Sequence, residues 1–82
     1  MVEFDIYEIA ILRKMHSYDY IGARHTSVDN LQRGFPSHVR GDVKKFVKRL
    51  IKLNLIILKS STKEMHCSLN KSKIKEIEEI IQ

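Results

Sequence analysis

The fold of this chain is decided by residues 39–59, which read VRGDVKKFVKRLIKLNLIILK. Apolar side chains recur there at helical spacing, so they share one face of an amphipathic helix whose other face is basic. The apolar face comprises Val39, Val43, Phe46, Val47, Leu50 and Ile51, and the basic face Arg40, Lys44, Lys45, Lys48, Arg49 and Lys52. Asn54 tolerates the left-handed conformation that ends helices, and the branched run after it favours a strand. The stretch therefore predicts a helix followed by a turn and a strand over residues 55–59.

Length and composition predict one folded domain over residues 1–82. The 82 residues are 43% hydrophobic and 30% charged, which is ordinary for a globular chain but small for an enclosed catalytic cleft. Cys67 is the only cysteine, so no internal disulfide forms, and the first five residues are acidic where a secretory signal would be basic. No apolar run approaches the roughly 20 residues of a bilayer span. We expect a cytoplasmic protein without a membrane partner.

Positive charge is concentrated in the middle of the chain. The net charge is +5, but residues 13–63 alone carry twelve Lys and Arg against three Asp. Both flanking segments are net negative. A concentrated basic surface attracts polyanions, although a solvated surface that favours solubility is the alternative.

The segments before the central helix predict two more helices. Asp5 and Glu8 form a capping-box pattern that opens the first helix, which we expect to end near His16 or Ser17. Residues 18–23 predict a brief extended segment, and Thr26 or Ser27 can cap a short helix over residues 28–33. Gly34 and Pro36 then end the second helix. The central helix follows and begins at Ser37 or near Arg40. Gly41 admits two interpretations, close approach of a phosphate or relief of crowding against the second helix.

The segments after the central helix predict a hairpin and a last helix. Residues 60–64 are polar and suit a hairpin loop, and the alternation over residues 65–69 predicts a second strand with one apolar face. Asn70 caps a final helix with an isoleucine stripe. The stripe either packs on the first helix or pairs two copies of the chain, and we expect a homodimer through Ile77 and Ile81.

In this order the elements resemble a winged helix-turn-helix domain, an α+β and mostly helical fold with a three-helix core, a two-stranded wing and an extra C-terminal helix. Residues 48–56 (KRLIKLNLI) are similar to the end of the recognition helix in bacterial and archaeal winged-helix regulators. Residues 22–27 and 34–36, with Arg40-Gly41 and residues 68–70, further resemble small stand-alone archaeal winged-helix proteins. The Gly34-Phe35-Pro36 connection departs from the common regulator pattern.

The resemblance implies a nucleic-acid-binding surface. The residues that match exposed recognition positions are His38, Arg40, Gly41, Lys44, Lys45 and Lys48. Further candidates are Arg24, His25 and Arg33 for flanking phosphates, and Ser61, Thr62 and Lys63 at the wing tip. Lysine suits phosphates, whereas bidentate reading of guanine favours arginine. We therefore expect contacts mainly to the nucleic-acid backbone, with modest sequence preference and with Arg40 as the best base-reading candidate.

No catalytic, cofactor or metal signature accompanies these residues. The four histidines are spread over different predicted elements, no cysteine pair has two-residue spacing, and no glycine-rich phosphate loop is present. An enzyme is therefore not expected. The favoured function is binding of duplex DNA, as a transcription regulator or a chromatin-type protein. The alternatives are RNA binding and a protein-docking module of a larger assembly.

Overall fold

A computed structural model describes residues 3–60 and 64–82 as an α+β domain that is mostly helical. The helices are α1 (Ile6–Ser17), α2 (Val28–Gln32), α3 (Ser37–Lys52) and α4 (Ile74–Ile81), and a 3-10 turn (Lys71–Lys73) leads into α4. The strands are β1 (Thr26–Ser27), β2 (Ile56–Ser60) and β3 (Met65–Leu69). The predicted fold class and the order of the long elements are confirmed at this level.

The first helix begins as its capping pattern predicts. The backbone N–H of Tyr7 donates to Asp5 Oδ1 at 2.8 Å, and the backbone N–H of Asp5 donates to Glu8 Oε1 at 2.8 Å. These reciprocal bonds satisfy groups that have no partner within the helix itself. At its other end, α1 stops at Ser17, within the predicted limits.

The central helix begins at Ser37, so a start near Arg40 is wrong. Pro36 occupies the cap position and makes no side-chain cap bond, because its hydrocarbon ring has no oxygen to accept one. Gly41 lies inside the helix, and a Cβ atom built on it would meet no heavy atom within 4 Å. Relief of crowding against α2 is therefore not the reason for this glycine.

The turn after α3 has the predicted left-handed residue. Asn54 has φ 62°, and the backbone N–H of Leu55 returns to the carbonyl of Leu50 at 3.1 Å. The Asn70 side chain donates through Nδ2 to the Asn54 carbonyl at 2.7 Å, which ties this turn to the end of β3. The turn thus fixes where the chain leaves α3 and enters β2.

The three strands form an antiparallel sheet in the order β1-β3-β2. Ile56 pairs with Leu69 and Leu58 with Cys67 across the hairpin, while Thr26 of β1 pairs with Cys67 from the other side. The extended segment predicted over residues 18–23 is only an isolated parallel bridge between Ile21 and Leu69, because the edge strand comes later in the chain. A strand of two residues is too short to leave a periodic pattern.

The core lies where α1, α2 and α3 meet the sheet, and α4 closes it from the side of α1. Its buried apolar residues are Ile11, Leu12, Met15, Val28, Leu31, Phe35, Val39, Val43, Val47, Leu50, Leu55, Ile56, Cys67, Leu69 and Ile77. Ser68 is also fully buried, although the alternation over residues 65–69 places it on the side of β3 opposite the apolar face. Side chains of a strand point above and below the sheet, so this burial depends on the elements packed against β3, which include α1 and α2.

Cys67 provides a test of this burial through its pKa. Desolvation raises the pKa of the buried thiol from 9.0 to about 11. Between these values the unfolded chain ionises while the folded chain keeps its proton, so the thiol's contribution to the free energy of unfolding falls as pH rises. The fall is at most about 1.4 kcal/mol per pH unit.

Urea unfolding of the wild type and of Cys67→Ala at pH 8, 9, 10 and 11 measures this contribution, because lysines and tyrosines titrate equally in both proteins. The stability gap in favour of the wild type should shrink above pH 9. A gap that stays constant to pH 11 would mean that the thiol is solvated.

Candidate nucleic-acid interface

The basic side of α3 is an exposed surface built by the same periodicity that fills the core. Val39, Val43, Val47 and Leu50 are buried on one side of the helix, with Phe46 and Ile51 half-buried beside them. On the other side lies a shallow open groove, which we call the α3 lysine face. It is lined by Gly41, Lys44, Lys45, Lys48, Arg49 and Lys52. Each of its residues is exposed.

In the described part of the chain, the lysines of this face form no ion pairs. Within residues 3–60 and 64–82, none of the four has a carboxylate oxygen within 4.0 Å of its ammonium group. Asp42 lies on the same helix and is exposed, but it forms no ion pair with them there. Four like charges on about two and a half turns of helix repel one another, and a bound polyanion relieves that repulsion.

Arg49 differs from these lysines, because it holds α3 against α1. Its guanidinium donates through Nη1 to Oε1 of Glu8, whose side chain is 1% exposed, and through Nη2 to the carbonyl of Glu3 at 3.0 Å. The same group lies 5.9 Å from the centre of the Phe4 ring. Arg49 was assigned to the basic face from its spacing, but in the structure its guanidinium is paired with the buried Glu8 carboxylate.

Aromatic rings also pack against one another where α1 contacts α3. The Tyr7 ring of α1 stacks on Phe46 of α3 with 5.9 Å between centres, and it meets Phe35 edge-on at 6.1 Å. Phe35 is buried between α2 and α3. These contacts fix the rotation of α3 about its axis, and so they fix the direction in which its lysines point.

Three candidates lie at the beginning of α3 or just before it. His38 is exposed in the first turn, and Arg33 is exposed at the end of α2. Arg40 is exposed as well, but its Nε donates to the Phe35 carbonyl at 2.9 Å. This bond anchors the guanidinium and leaves its two Nη groups without a hydrogen-bond partner among the described residues.

Arg24 and His25 are not brought to the α3 lysine face by any described bond. Both precede β1, which is the outer strand on the opposite edge of the sheet from β2. The Arg24 guanidinium lies 5.6 Å from the centre of the Tyr20 ring, and that ring stacks on Tyr18 at 6.0 Å. His25 contacts His66 of β3. The wing-tip candidates Ser61, Thr62 and Lys63 lie outside the described residues.

The dimerisation candidates occupy different environments from those expected. Ile77 is fully buried in the core of its own chain, so it reaches a second copy only if that core opens. Ile81 is half-buried, and its carbonyl accepts a bond from Arg13 Nη2 at 2.9 Å. His16 Nε2 lies 3.0 Å from Glu78 Oε2 and adds a second link between α1 and α4. Packing on α1 therefore accounts for the isoleucine stripe, and the homodimer stays a prediction.

Two polar contacts had no signal in the sequence. Glu8 with Arg49 and His25 with His66 are each separated by 41 residues, and both pairs depend on tertiary packing. Glu8 was assigned only to the cap of α1. A buried carboxylate needs a partner, but spacing alone does not identify which of the many cations supplies it.

No family model, curated protein or solved structure matches this chain. In the described part of the chain no helix has the length and apolar content to cross a bilayer. The same residues contain no cluster of three or more His, Cys, Asp or Glu side chains that could hold a metal ion. The case for function therefore depends on the geometry of the surface itself.

The two kinds of cation on α3 should respond differently to truncation. Arg49→Ala leaves the buried Glu8 carboxylate without its charged partner, and we expect the free energy of unfolding to fall by about 2 kcal/mol. Lys48→Ala, one residue away, removes an exposed and unpaired charge and should change it by less than about 0.5 kcal/mol. Chemical unfolding of both variants at pH 7 tests the difference. Equal stabilities would show that the Glu8–Arg49 pair does not hold the helices together.

Proposed function

We propose that this chain is a winged helix-turn-helix protein that binds nucleic acid, with duplex DNA as its preferred target. The helices and strands follow one another as α1-β1-α2-α3-β2-β3, and β3 lies between β1 and β2 in the sheet. That order, with an amphipathic third helix leading into a β-hairpin, supports the winged-helix assignment. The extra helix α4 packs on α1 and leaves the outer side of α3 uncovered.

The observation that carries the proposal is the unpaired charge of the α3 lysine face. A solubilising surface intersperses both signs, whereas here four exposed lysines lie together without a carboxylate partner in the described chain. An α-helix fits the major groove of B-DNA, where the phosphates of both strands flank it. Lysines spread along such a helix reach phosphates on either side of the groove.

Lysine-dominated contacts imply binding with modest sequence preference. Phosphate contacts position a protein on the duplex but do not read bases. Gly41 has open space around its Cα, which permits close approach of a phosphate to the helix backbone. The function this supports is that of a transcription regulator or chromatin-type binder, in which charge supplies most of the affinity.

Arg40 is the residue most suited to read a base. Its Nε bond to Phe35 fixes the guanidinium at the beginning of α3, and no residue of the described chain occupies its two Nη groups. Two parallel N–H donors match the O6 and N7 acceptors of guanine in the major groove. An anchored guanidinium also loses less conformational entropy on binding than a free one.

Charge reversal on α3 should abolish binding, whereas equal reversal elsewhere should not. Lys45→Glu with Lys48→Glu changes four charge units on the α3 lysine face. Lys71→Glu with Lys75→Glu makes the same change near α4, at exposed lysines without ion pairs among the described residues. Fluorescence anisotropy with a labelled duplex measures both. We expect no detectable binding by the first variant and less than a threefold loss in the second, since nearby phosphates sense local charge.

Equal losses in the two double variants would show that the whole basic chain binds without a defined face. Single-stranded DNA and structured RNA, measured in the same experiment, decide the target class. Tighter binding of structured RNA than of duplex DNA at equal salt would replace duplex DNA by RNA in this proposal.

Salt dependence separates phosphate contacts from base contacts. Each neutralised phosphate releases counterions, so log affinity for B-DNA falls with log salt by about 0.9 per contact. Lys44→Ala, Lys45→Ala or Lys48→Ala should each weaken binding to all duplexes by similar factors and reduce the slope by about one. Arg40→Ala should instead relax the preference found by selection from randomised duplexes. A motif that is unchanged in Arg40→Ala, or a slope near zero in the wild type, would contradict these roles.

A protein-docking role is the second candidate, and β2 is the observation that favours it. This strand pairs only with β3 in the described sheet, and its Ile57 and Leu58 side chains are 39% and 48% exposed. An exposed apolar edge strand can accept a strand from another protein. Leu58→Gln, which removes the apolar side chain without adding charge, should leave duplex affinity unchanged if α3 is the functional surface. A tenfold loss of duplex affinity on this change would assign the binding to the β2 edge instead.

A further inference from the structure

We propose that His25 and His66 form a two-histidine site for a divalent transition-metal ion of the Zn²⁺ class. Their Nδ1 atoms lie 3.0 Å apart, and the two rings meet edge to face with 5.0 Å between centres. His25 immediately precedes β1, and His66 lies on β3 where it pairs with Ser27 and Lys59. The site therefore links two strands of the sheet and is independent of the α3 lysine face.

The distance between the two nitrogens suits shared coordination. Zn–N bonds of 2.0–2.1 Å at a tetrahedral angle separate two ligand nitrogens by about 3.3 Å. Reaching that value moves the nitrogens apart by a few tenths of an ångström from the observed 3.0 Å, and each ring must also turn so that its Nδ1 lone pair points at the ion. His25 is exposed and the His66 side chain is 24% exposed, so an ion has access from solvent.

A carboxylate orients one of the two rings. His66 Nε2 lies 3.3 Å from Glu64 Oε2, so a proton on Nε2 is favoured and the Nδ1 lone pair is left to accept. Carboxylates that receive the second N–H of a histidine are a recurring feature of metal sites, since they fix the tautomer and raise ligand basicity. In the metal-free protein this assigns His25 as the donor, through Nδ1–H, and His66 as the acceptor.

Metal binding then requires one proton to move within His25. The Nδ1 proton leaves to solvent and Nε2 takes one up, so the ring changes tautomer and the pair presents two neutral Nδ1 ligands with no net proton release. Water completes the coordination sphere, because Glu64 contacts the far nitrogen of His66 and the described residues form no group of three His, Cys, Asp or Glu ligands. The positive charge of Lys59, which pairs with His66 across the sheet, disfavours a bound cation, whereas the negative charge of Glu64 favours it.

The test is titration of the tag-free 82-residue chain with Zn²⁺, followed by calorimetry and by nitrogen-15 spectra of the histidine rings. We expect one Zn²⁺ per chain, at least tenfold weaker binding in His25→Ala and in His66→Ala, and unchanged binding in the control His38→Ala. His25 should convert from the Nδ1–H to the Nε2–H tautomer on binding. His25→Ala is the decisive variant, because its side chain is exposed and its removal leaves the core intact.

Melting temperature provides a second readout, since an ion that binds only the folded chain stabilises it. Zn²⁺ should raise the melting temperature of the wild type and of His38→Ala but not of His25→Ala. Affinity that is equal in His25→Ala and the wild type, or a His25 ring that keeps its tautomer at saturating Zn²⁺, would show adventitious surface binding only and overturn the proposal.

Discussion

The division of α3 into a buried side and a charged side is the constraint on which the rest of this structure depends. Its apolar side contacts α1, α2 and β2, so the helix is at once the centre of the core and the support of the α3 lysine face. Burial of four aliphatic side chains stabilises the fold by several kcal/mol, at about 1.5–3 kcal/mol each before entropy is subtracted. Because α3 is packed against the core in this way, its lysines keep fixed positions relative to one another along the helix. In a flexible segment of the same composition, the lysines would not keep these relative positions.

Polar and aromatic contacts set the orientation of α3 in addition to the burial of its apolar side. The Glu8–Arg49 pair and the Tyr7 ring set the rotation of α3 against α1, while the Asn70 bond to the Asn54 carbonyl sets its exit into the hairpin. Arg49 illustrates how charge can be assigned wrongly from spacing. It lies among lysines in the sequence and is 44% exposed, yet its guanidinium is committed to a carboxylate beneath it.

Most of the element order could be predicted from the sequence, because it depends on local patterns. The capping box at Asp5, the helical period of α3 and the left-handed turn at Asn54 each involve residues within a few positions of one another. The two-residue strand β1, the burial of Ser68 and the environment of Ile77 could not be predicted, since each depends on what other elements cover. The candidate site divides in the same way. The exposed position of the α3 lysines could be predicted from the helical period alone. The Arg40 bond to Phe35 and the His25–His66 contact could not, because they depend on how the elements pack.

The most direct test of the central claim is a map of backbone amide shifts in nitrogen-15 labelled protein titrated with a short B-form duplex at moderate salt. If the outer side of α3 is the binding surface, the largest changes should fall within residues 38–52, and α4 should remain nearly unchanged. Shifts concentrated on β2 or α4, or shifts spread evenly over the chain at saturation, would contradict the account.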